Sequence, residues 1–181
     1  MYEFFDQSLR QYPDRNFILH GLVNGVAIGY NGAHAAREHP NWPSIIRYAK
    51  ATWDVISDDV ARSRATGPFD EPPHPDFVAS PLGAFEKKRS GKVRVIHDLS
   101  WPPGGSVNDG IDASEFSLKY ITLDDAVQVA NQVGAGRPVS MAKLDLMNAF
   151  KHIFVRPEDR HLLGFTWDPS LVGSPWGDSP V

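Results

Sequence analysis

Residues 82–99 constrain the fold most, because they have the pattern of a β-hairpin. Two strand-like arms flank a turn at residues 88–91, where charged and small residues end with a glycine. Alternation along the second arm predicts two faces of different character. One face holds Val93, Val95, His97 and Leu99, and the other holds Lys92, Arg94, Ile96 and Asp98.

Five basic side chains crowd the tip of this hairpin, namely Lys87, Lys88, Arg89, Lys92 and Arg94. The whole chain has 18 Lys and Arg against 22 Asp and Glu, so the local charge opposes the global charge. Alternation gives the side chain of Arg94 a defined direction. Lys and Arg side chains held in a defined direction can bind a triphosphate or a nucleic-acid backbone. A solvated tip kept soluble by its charge explains the same pattern. Asp98, on the same face as Arg94, is the predicted ion-pair partner of that guanidinium.

Asp145 stands at the end of an alternating stretch, residues 139–145, that predicts a strand. A carboxylate at such a position is usually a metal ligand, or it caps a following helical turn, here residues 146–152. The spacing alone does not separate these two interpretations. Further along, Pro157 predicts the start of a short turn or helix, and residues 162–167 have the aromatic and aliphatic mixture of a second strand.

Two amphipathic helices are predicted from apolar residues at spacings of three and four. The first covers residues 43–62, with Pro43 at a favoured first helical position. The second starts at a capping box made by Thr122 and Asp125, and Gly134 ends it. The apolar faces are Ile45, Ala49, Thr52, Ile56 and Val60 in the first helix, and Leu123, Ala126, Val127, Ala130 and Val133 in the second.

Length and composition fit one globular core, since 181 residues include 41% hydrophobic and 22% charged side chains. The chain has no cysteine and no secretory signal at its start, which fits a reducing, intracellular location. No run is long and apolar enough to span a membrane. The seven histidines show no ligand spacing, and the closest pair, His34 and His39, is interpreted as surface histidines and not as zinc ligands. Proline and glycine concentrate in residues 67–81 and 102–110, which are the predicted flexible connections.

Several of these blocks, taken in order, resemble the reverse transcriptases of DIRS-type, tyrosine-recombinase retroelements. The matching blocks are residues 28–32, 67–73, 80–83, the basic hairpin, 106–111, 124–127, 143–145 and 162–167. The resemblance implies an α+β chain with a partial right-hand polymerase fold, C-terminally truncated after the fingers hairpin and the first part of the palm. It divides the chain into an N-terminal helical region at 1–66, fingers at 67–121, the start of the palm at 122–167 and an irregular tail at 168–181.

The resemblance assigns a metal site to the end of the Asp145 strand. Asp145 would be the catalytic carboxylate that ligates Mg²⁺ or Mn²⁺, and the backbone of Leu146 would contribute a carbonyl oxygen. Nucleotidyl transfer by two metal ions requires carboxylates for both, and Mg²⁺ takes six oxygen ligands in strict geometry. Because Asp145 is a single carboxylate, metal binding by this chain is expected to be weak.

The resemblance also assigns the nucleotide site. Lys87 and Arg94 match positions that contact the incoming triphosphate, and Lys92 is a weaker candidate. Phe150 matches the bulky residue that excludes ribonucleotides by blocking the 2'-hydroxyl. Without the resemblance, Phe150 at helical spacing from Ile153 would be interpreted as a core aromatic. The turn at residues 108–110 is predicted to be structural, from its Asx and glycine chemistry.

The family carries a second motif after the first aspartate, a hairpin with two adjacent aspartates in an aromatic-x-Asp-Asp context. No such motif follows Asp145, and the Asp-Asp pairs at 58–59 and 124–125 lie in predicted helices. The predicted function is therefore a reverse transcriptase fragment, inactive alone, whose partners are an RNA or DNA primer-template and dNTP. Lys88 and Arg89 would contact the nucleic acid. The alternative is a non-catalytic retroelement remnant or nucleic-acid-binding module.

Overall fold

The structure is a computed structural model that describes residues 2–88, 90–115, 120–140, 142, 145 and 149–172. These residues mix helices and strands, so the chain is α+β. The α-helices are α1 (Tyr2–Ser8), α2 (Arg15–Asn24), α3 (Ser44–Arg47), α4 (Ala49–Ala61) and α5 (Leu123–Gly134). The strands are β1 (Arg37–Glu38), β2 (Val78–Ala79), β3 (Leu82–Glu86) and β4 (Val93–His97). Short 3-10 helices cover Asn108–Gly110, Ala149–His152, Pro157–Leu162 and Pro169–Val172.

The predicted hairpin is confirmed. Strands β3 and β4 pair antiparallel, with Leu82 opposite His97 at the base. Beyond the strands, the backbone N–H of Lys87 donates to the carbonyl of Lys92 at 2.9 Å, which extends the pairing to the tip. Gly91 closes the turn with a φ of 65°, a conformation that glycine adopts without steric cost. The turn therefore lies where the sequence predicts it.

The inner face of the hairpin packs against α3 and α4. Ile45, Leu82 and Ala84 form the buried centre of this cluster, which also receives Val93 and Val95 from β4. The helix predicted at residues 43–62 forms, with its apolar face inward, but it is interrupted between α3 and α4. Tyr48 leaves the helical conformation there, with φ −115° and ψ 28°.

A second cluster shows that the stretches expected to be flexible connections contribute to the core. Its buried members are Tyr30, Val78, Val107 and Leu162. Val78 lies within residues 67–81, and Val107 lies within 102–110. The expectation of two flexible linkers is therefore wrong at these positions, because the side chains of Val78 and Val107 are buried in a hydrophobic cluster. The turn at Asn108–Gly110 is confirmed as a 3-10 helix.

The strand predicted at residues 162–167 does not form. The predicted short helix does form, as Pro157–Leu162, and directly after it Gly164 makes a single parallel bridge to Ala79. The Gly164 backbone donates to the carbonyl of Val78 at 3.0 Å, and its carbonyl accepts from Ser80 at 2.9 Å. The ring of Phe77 lies where a side chain at position 164 would project, so the absence of a Cβ permits this approach.

The strand predicted at residues 139–145 is also wrong for its described part, since positions 139, 140, 142 and 145 lie in no strand. The other residues of this stretch, and Leu146, fall outside the described residues. The predicted succession of a strand at residues 139–145, a short helix and a second strand at residues 162–167 is therefore not formed in the part that the structure describes. The 3-10 helix Ala149–His152 lies where the sequence predicts a helical turn.

Helix α5 has the ends that the sequence predicts. The hydroxyl of Thr122 accepts from the Asp125 backbone at 3.2 Å, and the Asp125 carboxylate accepts from the Thr122 backbone at 2.8 Å. The helix ends at Gly134, and Ala135 takes the left-handed cap conformation with φ 44°. The apolar face of α5 nevertheless faces solvent, because Leu123 is 78% exposed and Val133 is 73% exposed.

Among the described residues, none of the helices has the length and apolar character needed to cross a lipid bilayer.

Candidate nucleic-acid interface

The hairpin presents its second face to solvent, and we call this surface the outer face. It consists of Trp42, Phe85, Arg94, Ile96 and Trp101. Phe85 lies directly opposite Arg94 across the two strands, and Gly83 lies opposite Ile96. Residues opposite each other in an antiparallel pair project to the same side. All five side chains of the outer face are exposed to a substantial degree.

Trp42 lies over the hairpin because position 83 is a glycine. A Cβ built on Gly83 would lie 3.2 Å from Cδ1 of Trp42, which is a tight contact. The indole Nε1 donates to Oδ2 of Asp98 at 3.1 Å, and the ring meets Trp101 edge to face at 5.2 Å. These contacts fix the orientation of a large aromatic surface while leaving it accessible.

Asp98 is therefore a partner of Trp42 and not of Arg94. The structure contains no ion pair between Asp98 and Arg94, so the predicted pairing is wrong. The other oxygen of Asp98 accepts from the Ser100 backbone at 3.2 Å, which turns the carboxylate back toward its own chain. Alternation puts Asp98 and Arg94 on one face, but it does not reveal that an indole 56 positions away competes for the carboxylate.

The cations of the hairpin are free within the described part of the chain. Lys87, Lys88, Lys92 and Arg94 are exposed and form no ion pair with any described residue. Continued alternation puts Lys87 and Lys92 on the side of Phe85 and Arg94. Arg89 falls outside the described residues. The outer face thus combines unneutralised positive charge with exposed aromatic rings.

Asp145 and Phe150, assigned by resemblance to the metal and nucleotide sites, are both exposed. Phe150 is 84% exposed in the 3-10 helix Ala149–His152, so its interpretation as a core aromatic is wrong. In the described residues, no group of three or more histidine, cysteine or acidic side chains is placed to hold a metal ion. Asp145 fits Mg²⁺ in donor chemistry but provides only part of the six oxygens that Mg²⁺ requires.

The two Asp-Asp pairs have structural roles in helices. Asp58 and Asp59 lie in α4, where Arg62 binds Asp58 at 2.8 Å and Lys151 binds Asp59 at 2.5 Å. The hydrogen bond from Arg62 is the main cause that lowers the pKa of the Asp58 carboxyl. Asp125 completes the capping box of α5 with Thr122, and Asp124 lies beside it in the first turn. These locations agree with the helices predicted at both pairs.

Sequence reasoning missed the two tryptophans of the outer face. The local pattern marks Trp42 only as the residue before a helix, and it gives Trp101 no role at all. They lie 59 positions apart in the chain and meet only after the hairpin has folded onto α3. The glycine at position 83, in the middle of an otherwise strand-like arm, is the one local feature that points to such an approach.

Comparison of the chain with protein-family models, with curated proteins and with solved structures yields no match.

Proposed function

We propose that this chain is a segment of a reverse transcriptase, in which the β3–β4 hairpin belongs to the fingers and binds nucleic acid and nucleotide. The observation that carries the proposal is the outer face with Lys87 and Lys92 beside it, where cations without an ion pair to any described residue and exposed aromatic rings share one side of a two-stranded ribbon. The ordered sequence blocks that resemble DIRS-type reverse transcriptases support the same assignment. A partial right-hand polymerase fold is part of the proposal.

The chemistry of the outer face suits a single strand. Lys and Arg attract the phosphate backbone, and aromatic rings stack on unpaired bases whatever their sequence. Arg94 adds a planar group that binds phosphate with two parallel hydrogen bonds. Its neighbour across the strands, Phe85, provides a flat apolar surface at the same place. Together these groups can bind both the phosphate backbone and the bases of a single strand.

Binding by the hairpin is tested with a fluorescent single-stranded oligonucleotide and anisotropy at several salt concentrations. One variant replaces the hairpin cations Lys87, Lys88, Lys92 and Arg94 with alanine. A matched control removes the same charge from exposed positions elsewhere, namely Arg10, Arg47, Lys50 and Arg137. We expect the hairpin variant to lose most of the affinity, with the slope of log K against log salt reduced by about 0.7 for each phosphate that the protein no longer neutralises. Equal losses in the two variants would refute the hairpin site.

The polymerase assignment requires a separate experiment, because a binding module without catalysis would pass the first one. We propose that Asp145 is the first Mg²⁺ ligand and that the chain alone extends no primer, since one carboxylate cannot hold two metal ions. Fusion after Trp167 to the aspartate-bearing palm segment of a related enzyme should restore primer extension. In that fusion Asp145→Asn should reduce the rate by several orders of magnitude, while the control Asp70→Asn leaves it unchanged.

Phe150 gives a further readout in the same fusion. If its ring blocks the 2'-hydroxyl, Phe150→Val should allow ribonucleotides to be incorporated while deoxynucleotide incorporation continues. A fusion that binds nucleic acid through the hairpin but stays inactive would favour the non-catalytic module. A fusion that is active and indifferent to Asp145→Asn would exclude Asp145 as the metal ligand.

A further inference from the structure

Three histidines meet at the junction of three separate segments, and we call them the histidine clasp. His34 precedes β1, His74 lies in the proline-rich segment 67–77, and His161 lies in the 3-10 helix Pro157–Leu162. Nδ1 of His34 is 3.2 Å from Nε2 of His161. The ring of His74 stacks on that of His161, with centroids 4.4 Å apart and an angle of 25°. His34 is exposed, as the sequence predicts, His74 is exposed as well, and only His161 of the three is buried.

The contacts within the clasp are incompatible with protonation of all three rings. The facing nitrogens of His34 and His161 are at hydrogen-bond distance, so only one of them can carry the hydrogen between them. The other clasp member, His74, accepts at Nδ1 from the backbone N–H of Asp76 at 3.1 Å. Accepting that bond requires a lone pair, which protonation of Nδ1 removes. A second proton in the clasp would also place like charges on stacked rings.

The surroundings of His161 oppose its protonation. Burial lowers the pKa of His161, and the neighbouring His74 and His34 lower it further. A hydrogen bond to the backbone carbonyl of Glu158 and the charge of Asp76 act in the opposite direction. Burial prevails in this balance, since His161 is only 9% exposed.

The other charged groups around the clasp form hydrogen bonds with residues outside it. The Asp159 carboxylate accepts from Arg156 at 2.8 and 2.9 Å and from the Ile28 backbone at 3.0 Å. On the side of His34, the ring of Tyr30 meets it edge to face, and the Tyr30 hydroxyl accepts from Arg37 at 2.9 Å. Strand β2, which contacts the 3-10 helix, consists of Val78 and Ala79 and brings no charge.

We infer that the histidine clasp is an acid-sensitive contact, which holds segment 67–77 and the stretch with His34 before β1 against the 3-10 helix at neutral pH and releases them under mildly acidic conditions. Histidine is the side chain whose charge changes in this range, and clusters of histidines act as pH switches in this way. The released segment leads directly into β2 and β3. The clasp therefore supports the base of the hairpin, at the end opposite its basic tip.

The direction of the effect follows from proton linkage. The unfolded chain has an ordinary histidine pKa of about 6.5, whereas the pKa of folded His161 is lower. Between these two values the unfolded state binds more protons, so stability falls as pH falls. The contribution of the clasp is complete above about pH 6.5 and is lost as the pH drops from there through the folded pKa.

Hydrogen exchange read by mass spectrometry at pH 7.5 and 5.5, corrected for intrinsic exchange, tests the clasp locally. We expect protection of the peptide 67–77 to fall about tenfold more than that of the α4 reference on acidification. His74→Phe keeps a flat ring on His161 but cannot take a charge, so it should suppress most of this fall. His20→Phe, at an exposed position of α2, should behave like the unchanged protein.

Two results would overturn the inference. One is an unchanged protein whose peptide 67–77 loses no more protection at pH 5.5 than α4 does. The other is a His74→Phe variant that loses protection as fully as the unchanged protein. Histidine ring signals in an NMR titration provide an independent check that does not depend on the variants. The His161 midpoint should lie below the ordinary histidine value of about 6.5, and a midpoint at or above that value would also contradict the clasp.

Discussion

The β3–β4 hairpin and helix α5 differ in the contacts that stabilise them. Both are marked by clear local patterns, and both form at the predicted positions. Leu82 at the start of β3 is 2% exposed, whereas Leu123 at the start of α5 is 78% exposed. The hairpin is covered on its inner face by α3 and α4, but the apolar face of α5 is left in solvent.

This difference separates two sources of order. Hairpin residues are tied to distant chain: the backbone of Leu82 donates to the Asn41 side chain at 2.8 Å, and that of Ala84 donates to Ser44 at 3.1 Å. Helix α5 is defined by a cap within four residues of its own sequence. Capping sets where a helix starts, while burial of apolar area provides most of the stability of an element.

Truncating one leucine in each region should give the largest contrast. We expect Leu82→Ala to reduce the free energy of unfolding by about 3 kcal/mol, because it removes buried methyl groups and leaves a cavity. Leu123→Ala, the same change at an exposed site, should stay within about 0.5 kcal/mol. Urea denaturation measures both. Similar losses in the two variants would show that the α5 face is covered in solution.

Acidification should give the second largest difference in stability between the hairpin and α5. Burial lowers the pKa of His97, whose Nε2 donates to the Gly164 carbonyl at 2.9 Å, so the hairpin loses stability as pH falls below about 6.5. Hydrogen bonds from the Thr122 backbone and hydroxyl lower the pKa of Asp125, so the cap of α5 persists until the pH falls below 3.8 and through the folded value. Hydrogen exchange across pH 7.5 to 4.5 should show the hairpin opening first.

His97→Gln is the matched variant for this acid effect. Glutamine can donate to Gly164 without titrating, so exchange in β4 should become less dependent on pH. The response of α5 should stay the same. Loss of protection in β4 and α5 at one common pH would contradict the separation of the two regions.

Removing the cap should weaken α5 alone. Thr122→Ala deletes the hydroxyl that binds the Asp125 backbone, and we expect a cost of about 1 kcal/mol, confined to α5. Thr122→Ser keeps the hydroxyl and is the control. Exchange rates of α5 amides report the loss, and those of β3 and β4 should not change. An equal response in the hairpin would mean that the two regions unfold as one unit.

The smallest effect concerns the other end of α5. Ala135 is held at φ 44°, where a side chain is sterically disfavoured and glycine is not. Ala135→Gly should therefore stabilise α5 by a few tenths to about 1 kcal/mol. Slower exchange of the last-turn amides would measure the gain. Faster exchange would show that this left-handed cap is not retained in solution.

The strand predictions around Asp145 failed because alternation alone does not make a strand. Alternation over residues 139–145 and 162–167 describes a side-chain preference, but a strand also needs a neighbour with free backbone groups. For residues 162–167, β2 provides only the partners of Gly164, because this strand is just two residues long, Val78–Ala79. The hairpin succeeded because its two strands supply each other's hydrogen bonds.

The sequence by itself determined the elements whose partners are close in the chain. These are the hairpin with its turn, the apolar faces of α3 and α4, and both ends of α5. Tertiary structure alone decided that Asp98 binds Trp42, that Val78 and Val107 enter the core, and that three histidines meet. The physical reason is range: turns, caps and periodicity act within a few residues, whereas burial and side-chain pairing depend on segments that only folding brings together.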